Sequence, residues 1–444
     1  MKKRVKKFDQ LSLERIAEGT ALKAIFPDFE HVSKKTDRDV QFRNEMAVVS
    51  HYIDARDYMS PDEQERAISI INKYYKFAHP FTENVEEISF EERIELFETR
   101  RDGMYFPVDN PTFTFVDLFA GIGGFRLALQ HIGGKCIYAS EWDRSAQKTY
   151  TLNYGVMPYG DITQPETKAC IPDNFNILCA GFPCQAFSMA GLRLGFKDAT
   201  KGTLFFHVAE IIEEKQPDAF FLENVKGLLS HDSGHTIEVI LGRLREIGYY
   251  VPEPDIVNAM NFGVPQNRER VFIVGFHPRT GINEFSYPAP TDSNKRFRDI
   301  KETDVVDVKY YLSERFWQTL VNHKARHKAK GNGYGYEIIG DDDVANTFLA
   351  GSMGREHNLI IDDRQKCRLE ATKYKGATNT SFVRTLTPRE AGRLQGFPDD
   401  FKINVGDYPA YKQYGNSVAI PAVRETAKEI LRRLGIQIIV EVGI

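Results

Sequence analysis

The chain has 444 residues, a length that exceeds the usual size of a domain with a single core and predicts at least two domains. Its residues are 42% hydrophobic, which is enough apolar material for a core in each domain. Its 58 Lys and Arg against 62 Asp and Glu give a formal net charge of −4, which excludes a globally basic protein and confines any nucleic-acid surface to a local patch. Five cysteines without a CxxC pair argue against a disulfide framework and a structural zinc cluster, so we expect no metal site.

The N-terminus shows no targeting pattern. It is basic between Lys2 and Lys7, but no apolar segment follows, and the sequence contains no apolar run of about 18 residues. We therefore expect a soluble cytoplasmic protein that contacts no membrane. The basic cluster could touch phosphate, although a solvated terminus is the more common role of such residues.

Residues 1–110 are predicted to form a polar helical extension. Two helix starts carry a serine cap followed three positions later by Glu: Ser60 before Pro61, and Ser89 before Phe90. The segment contains no catalytic constellation. We interpret it as an appended module, joined to the rest of the chain at residues 109–111.

From residue 113 the pattern changes to strands that alternate with helices. The predicted helices include residues 125–131 and 204–214. The predicted strands are residues 114–119, 135–140, 176–180, 219–223 and 271–276. This alternation indicates an α/β fold with a mainly parallel sheet covered on both faces, whose ligands bind at the carboxyl ends of the strands.

Residues 277–383 lose the alternation and are interpreted as a second, smaller domain that meets the substrate. They contain a Gly-rich run at 331–336, a basic string at 324–330 and an acidic patch at 341–343. Long loops inside an enzyme are more often functional than idle. After them, Thr387 is predicted to cap a helix, and residues 419–434 form the last long helix.

A Gly-rich turn at residues 117–124 follows the first predicted strand and opens a helix. Alone it is weak evidence, because it could be a tight structural turn or a dinucleotide site, and its spacing is not GxGxxG. Glu141, after the second strand, could accept hydrogen bonds from ribose hydroxyls, and Trp142 offers a flat apolar surface. Asp161 could accept from an adenine amino group. A nucleoside-bearing cofactor is favoured over a purely structural role.

Cys184 stands apart from the cysteines within apolar strands, since it follows a strand that Gly181 and Pro183 end. A thiolate that attacks a ring needs an acid nearby, and the next strand supplies Glu223. Arg268 and Arg270 would point to one side of an extended segment and suit an anionic or carbonyl-rich ligand, although a solvated charge pair is an equal alternative.

Taken together, these motifs resemble those of the DNA (cytosine-5)-methyltransferases, in residues 113–276 and 384–421. The resemblance rests on five elements in order: residues 119–124, Pro183-Cys184, 223–225, 266–270 and 415–418. It implies a Rossmann-like methyltransferase domain formed by residues 111–276 and 384–444, a target-recognition domain at 277–383, and S-adenosylmethionine as cofactor. It does not cover residues 1–110.

The family pattern also implies roles for single residues. In it, Cys184 is the nucleophile that adds to C6 of a flipped cytosine, Glu223 acts at N3, Arg270 binds the base O2 and Arg268 binds a phosphate. The residues implied for the cofactor are Phe119, Gly121, Gly123, Gly124, Glu141, Trp142, Asp161, Ile162, Asn416, Ser417 and Val418.

The implied partner is double-stranded DNA, bound by an enzyme that we expect to be a monomer without an obligate protein partner, and associated with the nucleoid if bacterial. A loop at residues 185–203 would close over the base. Candidate DNA contacts are Gln185, Ser188, Arg193, Tyr334 and Thr347.

Two other functions remain compatible with the motifs. One is an RNA cytosine-5 methyltransferase acting on tRNA, although the Cys-Phe-Thr element of that branch is absent from the sequence. The other is a non-catalytic DNA-binding regulator with the same fold, which the retained Cys184 and Glu223 make the weaker alternative.

Overall fold

The computed structural model describes residues 37–78, 84–95, 97, 105, 110–183, 204–291, 294–351, 356–365, 369–371 and 376–439. Cys184, Gln185, Ser188 and Arg193 lie outside these residues. The α-helices are α1 (Asp37–Ala55), α2 (Pro61–Ala78), α3 (Phe90–Ile94), α4 (Gly124–Gln130), α5 (Arg144–Tyr154), α6 (Pro165–Lys168), α7 (Leu204–Lys215), α8 (His235–Glu246), α9 (Glu314–Ala329), α10 (Pro388–Leu394), α11 (Asp407–Asn416) and α12 (Ile420–Leu434).

The strands in the same part of the chain are all short. They are β1 (Phe113–Leu118), β2 (Gly134–Ser140), β3 (Ile177–Gly181), β4 (Ala219–Val225), β5 (Asp255–Asn258), β6 (Gln266–Asn267), β7 (Glu269–Phe276), β8 (Ile338–Ile339), β9 (Ala345–Asn346), β10 (Leu359–Ile361), β11 (Glu370–Ala371), β12 (Gly376–Ala377) and β13 (Val383–Arg384). None of the described helices has the length and apolar composition needed to span a bilayer.

The central sheet has six strands in the order β2-β1-β3-β4-β7-β5. The first four are parallel, and β7 runs antiparallel to both β4 and β5. All five predicted strands are confirmed, with small shifts at their ends. The sequence did not reveal β5, because its four residues are only partly buried and carry no alternating pattern.

The reversed direction of β7 matters for the site. Val225, the last residue of β4, pairs with Arg270 near the start of β7. The amino end of β7 therefore lies at the same edge of the sheet as the carboxyl ends of the parallel strands. In an all-parallel sheet the same arginine would lie at the opposite edge.

Helices cover both faces of the sheet, as predicted. On one face, Phe113 and Phe115 of β1 belong to an apolar cluster shared with α4, α5 and α12. On the other, Val116 and Leu118 belong to a cluster shared with α1, α2, α7 and α8. Because α12 packs against α4, the C-terminal segment lies beside the Gly-rich turn, although the two are far apart in the sequence.

The helices of the predicted N-terminal extension pack on the central sheet. Met46 and Val49 of α1, and Ile71 of α2, lie in the same apolar cluster as Leu118 of the central sheet. These helices therefore share the sheet's core instead of forming a separate one, because their apolar residues cover a face that the sheet would otherwise expose. The predicted serine caps are confirmed: the Ser89 hydroxyl accepts from the amide of Glu92 at 3.2 Å.

The region from 277 to 383 is more regular than the sequence suggested. A three-stranded sheet in the order β13-β10-β8 packs with α9 around a small cluster that contains Trp317, Leu320 and Leu359. The basic string, expected in long loops, lies mostly on the last turns of α9. Positive side chains there complement the partial negative charge of the helix C-terminus.

A buried ion-pair network joins this region to α10. The guanidinium of Arg384 contacts Asp362 at 2.8 Å and Glu390 at 2.7 Å, with all three side chains almost inaccessible to solvent. Burial alone would raise the pKa of Asp362, but hydrogen bonds from Arg364 and Arg384 outweigh it and hold that pKa below its ordinary value. The predicted Thr387 cap is confirmed, since its hydroxyl accepts from the Glu390 amide at 3.1 Å.

Candidate active site

A cavity of about 270 Å³ opens at the carboxyl edge of the parallel strands. Its wall combines apolar side chains with two carboxylates. The lining residues are Phe119, Ser140, Glu141, Trp142, Gly160, Asp161, Ile162, Thr163, Pro183 and Leu204. The cavity therefore unites five of the residues that the sequence argument assigned to a nucleoside cofactor: Phe119, Glu141, Trp142, Asp161 and Ile162.

The Gly-rich turn between β1 and α4 has a left-handed backbone. Phe119 has φ 56°, Gly121 has φ 57° and Gly123 has φ 86°. A side chain at Gly123 would collide with the ring of Tyr154, whereas a Cβ at Gly121 would meet no atom within 4 Å. The backbone at Gly121 therefore faces open space that a ligand can enter, and Phe119 is held in a conformation unusual for a non-glycine residue.

Glu141 connects this turn to the second strand. One carboxylate oxygen accepts from the amide of Gly121 at 2.8 Å, and the other accepts from the amide of Asp143 at 2.6 Å. Burial raises the pKa of Glu141, while these amides oppose the shift. Each oxygen keeps a further lone pair, so the carboxylate can still accept two ligand hydroxyls.

The remaining cavity residues differ in exposure. Trp142 is 68% exposed and offers an open indole face, whereas Ile162 is buried in the wall. Asp161 is exposed, and one of its carboxylate oxygens accepts from the amide of Thr163 at 2.9 Å. The carboxylate is thereby oriented while its other oxygen stays available.

The C-terminal element reaches the same turn. A Cβ placed on Gly124 would lie 2.7 Å from the Ser417 hydroxyl and 2.8 Å from a methyl carbon of Val418. Both side chains are buried against α4, whereas Asn416, at the end of α11, is exposed. The structure therefore brings residues 416–418 beside the turn, nearly 300 positions earlier in the chain, as the resemblance implied.

A second group of polar residues lies where β3, β4 and β7 meet. The Nε of Arg270 is 3.1 Å from a carboxylate oxygen of Glu223, and each side chain is 12% exposed. Glu223 pairs with Gly181 across the parallel strands, so its carboxylate flanks the strand from which Pro183 and Cys184 follow. The acid and the arginine are thus adjacent to the start of the Pro-Cys loop.

Asn224 adds a contact that the sequence argument did not assign. Its side-chain amide donates to the carbonyl of Phe182 at 2.9 Å, while its oxygen accepts from the amide of Val225 at 2.9 Å. Asn224 therefore fixes the residue two positions before Cys184. In the sequence, only the position of this Asn next to Glu223 in the Glu-Asn-Val motif indicated that it could have a role at the site.

Arg268 lies in a different environment from the one expected. It is 2% exposed, and its guanidinium donates to the carbonyls of Phe348 at 3.2 Å, Gly415 at 3.2 Å and Ser417 at 2.7 Å. Burial, with some help from nearby Arg270, lowers the pKa of Arg268 to about 9. The guanidinium is enclosed by protein carbonyls, which favours a structural role, and the expected phosphate contact stays a prediction.

Gln266 holds the segment at Phe348 from a second side. It is fully buried, accepts from the amide of Phe348 at 2.8 Å and donates to the carbonyl of Leu394 at 2.8 Å. β6 and β9 also pair here, with Gln266 opposite Ala345. The sequence gave no signal for these contacts, because the partners are about 80 to 130 positions apart.

The two recognition candidates have different positions. The hydroxyl of Thr347 donates to the carbonyl of Asn267 at 2.7 Å. The expected contact of Thr347 with the DNA backbone stays a prediction. Tyr334 is 66% exposed, and its ring makes an edge contact with His327, with centroids 5.7 Å apart. Tyr334 is accessible to a partner.

Beside Tyr334, the end of α9 presents a basic patch, which we define as Arg326, Lys328 and Lys330. All three side chains are exposed, and within the described part of the chain none of them forms an ion pair. Lys324, by contrast, donates to the carbonyl of Tyr336 at 2.7 Å. The patch is thus a local positive surface on a protein of net charge −4.

Comparison with known proteins gives a consistent family. Residues 113–432 match the sequence model of the C-5 cytosine-specific DNA methylases. The chain is 61% identical over 337 residues to the Type II methyltransferase M.HpaII of Haemophilus parainfluenzae, which covers 75% of this chain and 94% of that protein. It is 45% identical over 329 residues to the Type II methyltransferase M.SsoII of Shigella sonnei, covering 73% and 82%.

Solved structures agree on the fold. The Entamoeba histolytica methyltransferase EhMeth aligns with a TM-score of 0.55 at 17% identity, over 72% of this chain and 98% of that one. The S. pombe Dnmt2 methyltransferase aligns with a TM-score of 0.53 at 19% identity, over 72% and 99%. At these identities the likeness concerns the fold alone.

The chain therefore belongs to the C-5 cytosine-specific DNA methylases. Its mixed α/β fold, with a mainly parallel central sheet, is that of a Rossmann-like methyltransferase. The expected family and enzyme class are confirmed. This membership also implies a methyl donor and a DNA substrate.

Proposed function

We propose that this protein transfers a methyl group from S-adenosylmethionine to C5 of a cytosine flipped out of duplex DNA, through a covalent adduct with Cys184. The observation that carries the proposal is the Glu223–Arg270 pair at the start of the Pro-Cys loop. Beside it lies a cavity whose apolar side chains and carboxylates suit a nucleoside. Acid, base-binding cation and cofactor cavity share one edge of the sheet.

The cavity suits S-adenosylmethionine in shape and chemistry. Phe119, Trp142 and Ile162 offer apolar contacts to an adenine, Glu141 can accept from the ribose hydroxyls, and Asp161 can accept from the adenine amino group. The Ser140 hydroxyl, which lines the cavity, is buried without a hydrogen-bond partner among the described residues. A bound ligand could satisfy this polar atom.

The amino-acid end of the cofactor would lie near the Gly-rich turn. The open backbone at Gly121 and the segment 416–418 border that side of the cavity, while Gly123 and Gly124 shape the turn. Bound S-adenosylmethionine would supply an electrophilic methyl group beside the position of the base.

This chain's residues would then act on the base as follows. The thiolate of Cys184 forms a bond to C6 while Glu223 delivers a proton to N3, which makes C5 nucleophilic. After C5 has gained the methyl group, with S-adenosylhomocysteine as the leaving group, C5 loses its proton to a base. The bond between sulfur and C6 then breaks, the thiolate is regenerated and N3 returns its proton. The net change replaces the C5 hydrogen by methyl and releases one proton.

Arg270 would bind the O2 oxygen of the cytosine while its Nε holds the Glu223 carboxylate. A planar guanidinium can serve both acceptors, because its donors form a fixed fork. Flipping the base costs a few kcal/mol, which contacts of this kind would offset. In this arrangement Arg268 holds backbone segments and leaves phosphate contacts to other residues.

The proposed partner is duplex DNA, read by the region from 277 to 383. The basic patch on α9 would contact phosphates, and exposed Tyr334 would fill the gap left by the flipped base. In residues 185–203, Gln185, Ser188 and Arg193 are proposed contacts. The names of the Type II relatives support membership of a restriction-modification system. Action as a monomer in the cytoplasm is part of the proposal.

Covalent trapping tests the proposal. Duplex DNA that contains 5-fluorocytosine should form a denaturation-resistant complex with the wild type and S-adenosylmethionine, because fluorine at C5 cannot leave as a proton. Cys184→Ser should form none and transfer no methyl group, whereas Cys170→Ala, changed at a buried cysteine away from the cavity, should behave as the wild type. A trapped complex with Cys184→Ser would overturn the proposed adduct.

The substrate needs a separate measurement. Tritiated methyl transfer into duplex DNA and into tRNA should be compared for the same preparation, with DNA the expected acceptor. Preferential labelling of tRNA would reject duplex DNA as the substrate. Binding of DNA without any turnover would favour the regulatory alternative.

A further inference from the structure

The helix α1 contacts three of the segments that support the cofactor cavity, although it lies outside the segment 113–432 that matches the family. Its contacts reach β2, the segment 156–160 and α4. β2 leads to Glu141, the segment 156–160 leads to Asp161, and α4 follows the Gly-rich turn. No part of the proposed chemistry uses α1, so its contacts require their own explanation.

The first contact is at the outer edge of β2. The amide of Ala139 donates to Nε2 of His51 at 3.3 Å, and Nδ1 of the same ring lies 2.9 Å from the carbonyl of Ala47. Since a carbonyl only accepts, Nδ1 carries the proton and Nε2 is the acceptor. β2 is an edge strand, and His51 satisfies an edge amide two residues before Glu141.

The second contact holds the segment that leads to Asp161. The amide of Met157 donates to the hydroxyl of Ser50 at 3.0 Å. The ring of His51 lies against the ring of Tyr159, with centroids 4.4 Å apart, and Tyr159 itself bridges to β2. A Cβ added at Gly160, in the cavity wall, would lie 3.5 Å from the Asn44 side chain.

The third contact lies behind the Gly-rich turn. Asp54, near the end of α1, is 3.4 Å from the guanidinium of Arg126, a buried residue on α4. Near the start of α1, Arg43 donates to the side-chain oxygen of Gln147 at 3.4 Å, and Gln147 donates to the carbonyl of Glu141 at 2.5 Å. One helix thus ties three separate segments into one wall.

We infer that α1 is a positioning element of the cofactor site, with Ser50 and His51 as its positioning residues. They fix the backbone on which Glu141 and Asp161 are presented, at the adenosine end of the cavity. This inference deepens the proposed function, because it rests on the cavity binding S-adenosylmethionine. It gives the N-terminal segment a role in cofactor affinity.

The experiment measures binding directly. Calorimetric titration with S-adenosylmethionine, and with S-adenosylhomocysteine, should show dissociation constants about tenfold higher for the double variant Ser50→Ala/His51→Ala than for the wild type, because two backbone amides lose their acceptors. The KM for S-adenosylmethionine should rise by the same factor, while kcat at saturation and the KM for DNA stay unchanged. His51→Gln, which offers an oxygen near the position of Nε2, should restore most of the affinity.

A matched control separates positioning from general destabilisation. Ile71→Val, in the same apolar cluster on α2 but outside the cavity contacts, should lower the melting temperature without changing the dissociation constant by more than about twofold. If the double variant does not fold, Ser50→Ala alone is compared with the control, and a weakening of about threefold is expected from the loss of one such contact.

The outcomes are distinct. Unchanged cofactor affinity in Ser50→Ala and in the double variant would overturn the role of α1, and so would an equal loss in Ile71→Val. If the wild type itself bound neither S-adenosylmethionine nor its product, the proposed function would fail first. Wild-type binding with unaffected variants would reject this inference alone.

Discussion

The proposed cofactor side and the proposed recognition side of this molecule are built differently. At the carboxyl edge of the central sheet, Glu141 and Glu223 are nearly buried; Glu141 directly follows β2 and Glu223 lies within β4, and each of these strands has seven residues. Between 277 and 383, the described strands have two or three residues and the basic patch is fully open to solvent. Chemistry needs fixed geometry, which a packed sheet supplies, whereas contact with a long polyanion needs accessible charge.

The two sides are nevertheless joined at one place. Gln266 and Arg268 hold the amide and the carbonyl of Phe348 in the recognition region, and Arg268 also holds Gly415 and Ser417 beside the cofactor turn. A single buried guanidinium thus connects recognition, cofactor and catalytic strands. The comparison therefore predicts different signatures for changes on either side and at the joint.

The largest effect should come from the catalytic side. Glu223→Gln keeps the size of the side chain but removes its proton-transfer ability, so kcat should fall by about 10²–10⁴-fold. The dissociation constant for S-adenosylmethionine should stay unchanged, because Glu223 does not line the cofactor cavity. Single-turnover methylation and calorimetry measure the two quantities.

Glu269→Gln is a suitable control, since Glu269 lies on the neighbouring strand β7 and pairs with exposed Lys226. It should retain nearly full activity. A fall in kcat of less than about tenfold in Glu223→Gln would contradict a role of this carboxylate in proton transfer.

An intermediate effect is expected at the joint. Arg268→Met removes the guanidinium that donates hydrogen bonds to three buried carbonyls. Each buried acceptor left unpaired costs about 1–3 kcal/mol, part of which the segments recover by relaxing, so kcat/KM should fall by about 10- to 100-fold. Cofactor binding and DNA binding should weaken together. Binding assays for both ligands check the expectation.

The salt dependence distinguishes this role from a phosphate contact. Loss of a phosphate contact would reduce the slope of log affinity against log salt by about 0.9 and leave the cofactor bound as before. We expect an unchanged slope for Arg268→Met. Arg279→Met, which breaks only a partly exposed pair with Asp218, should change neither ligand's affinity.

The smallest effect should come from the recognition side. Arg326→Ala/Lys328→Ala should weaken DNA binding by about tenfold near physiological salt and reduce the salt slope by about 1.8, because two phosphate contacts are lost. The kcat at saturating DNA and the cofactor affinity should stay unchanged. Fluorescence anisotropy at several salt concentrations measures the slope.

Arg243→Ala on α8 removes a positive charge that is paired with Glu213 within the protein, and it provides the control. It should not alter the slope. An unchanged slope in the double variant would place the DNA elsewhere on the surface.

The sequence by itself determined much of the fold because local patterns report local physics. Apolar runs identified five strands of the sheet, since a strand covered on both faces must be apolar throughout. Serine and threonine caps located helix starts at Phe90 and Pro388, since these side chains satisfy free amides. The ordered motifs were sufficient to indicate the family and the residues around the cofactor cavity.

Tertiary structure alone decided the surroundings of those residues. Period-two alternation placed Arg268 and Arg270 on one side of the chain, but only the packing of residues 348, 415 and 417 enclosed the first and left the second beside Glu223. The sequence also did not predict the antiparallel direction of β7 or the packing of α1 against β2. These features depend on contacts between distant segments, and no local pattern encodes which surface will cover which.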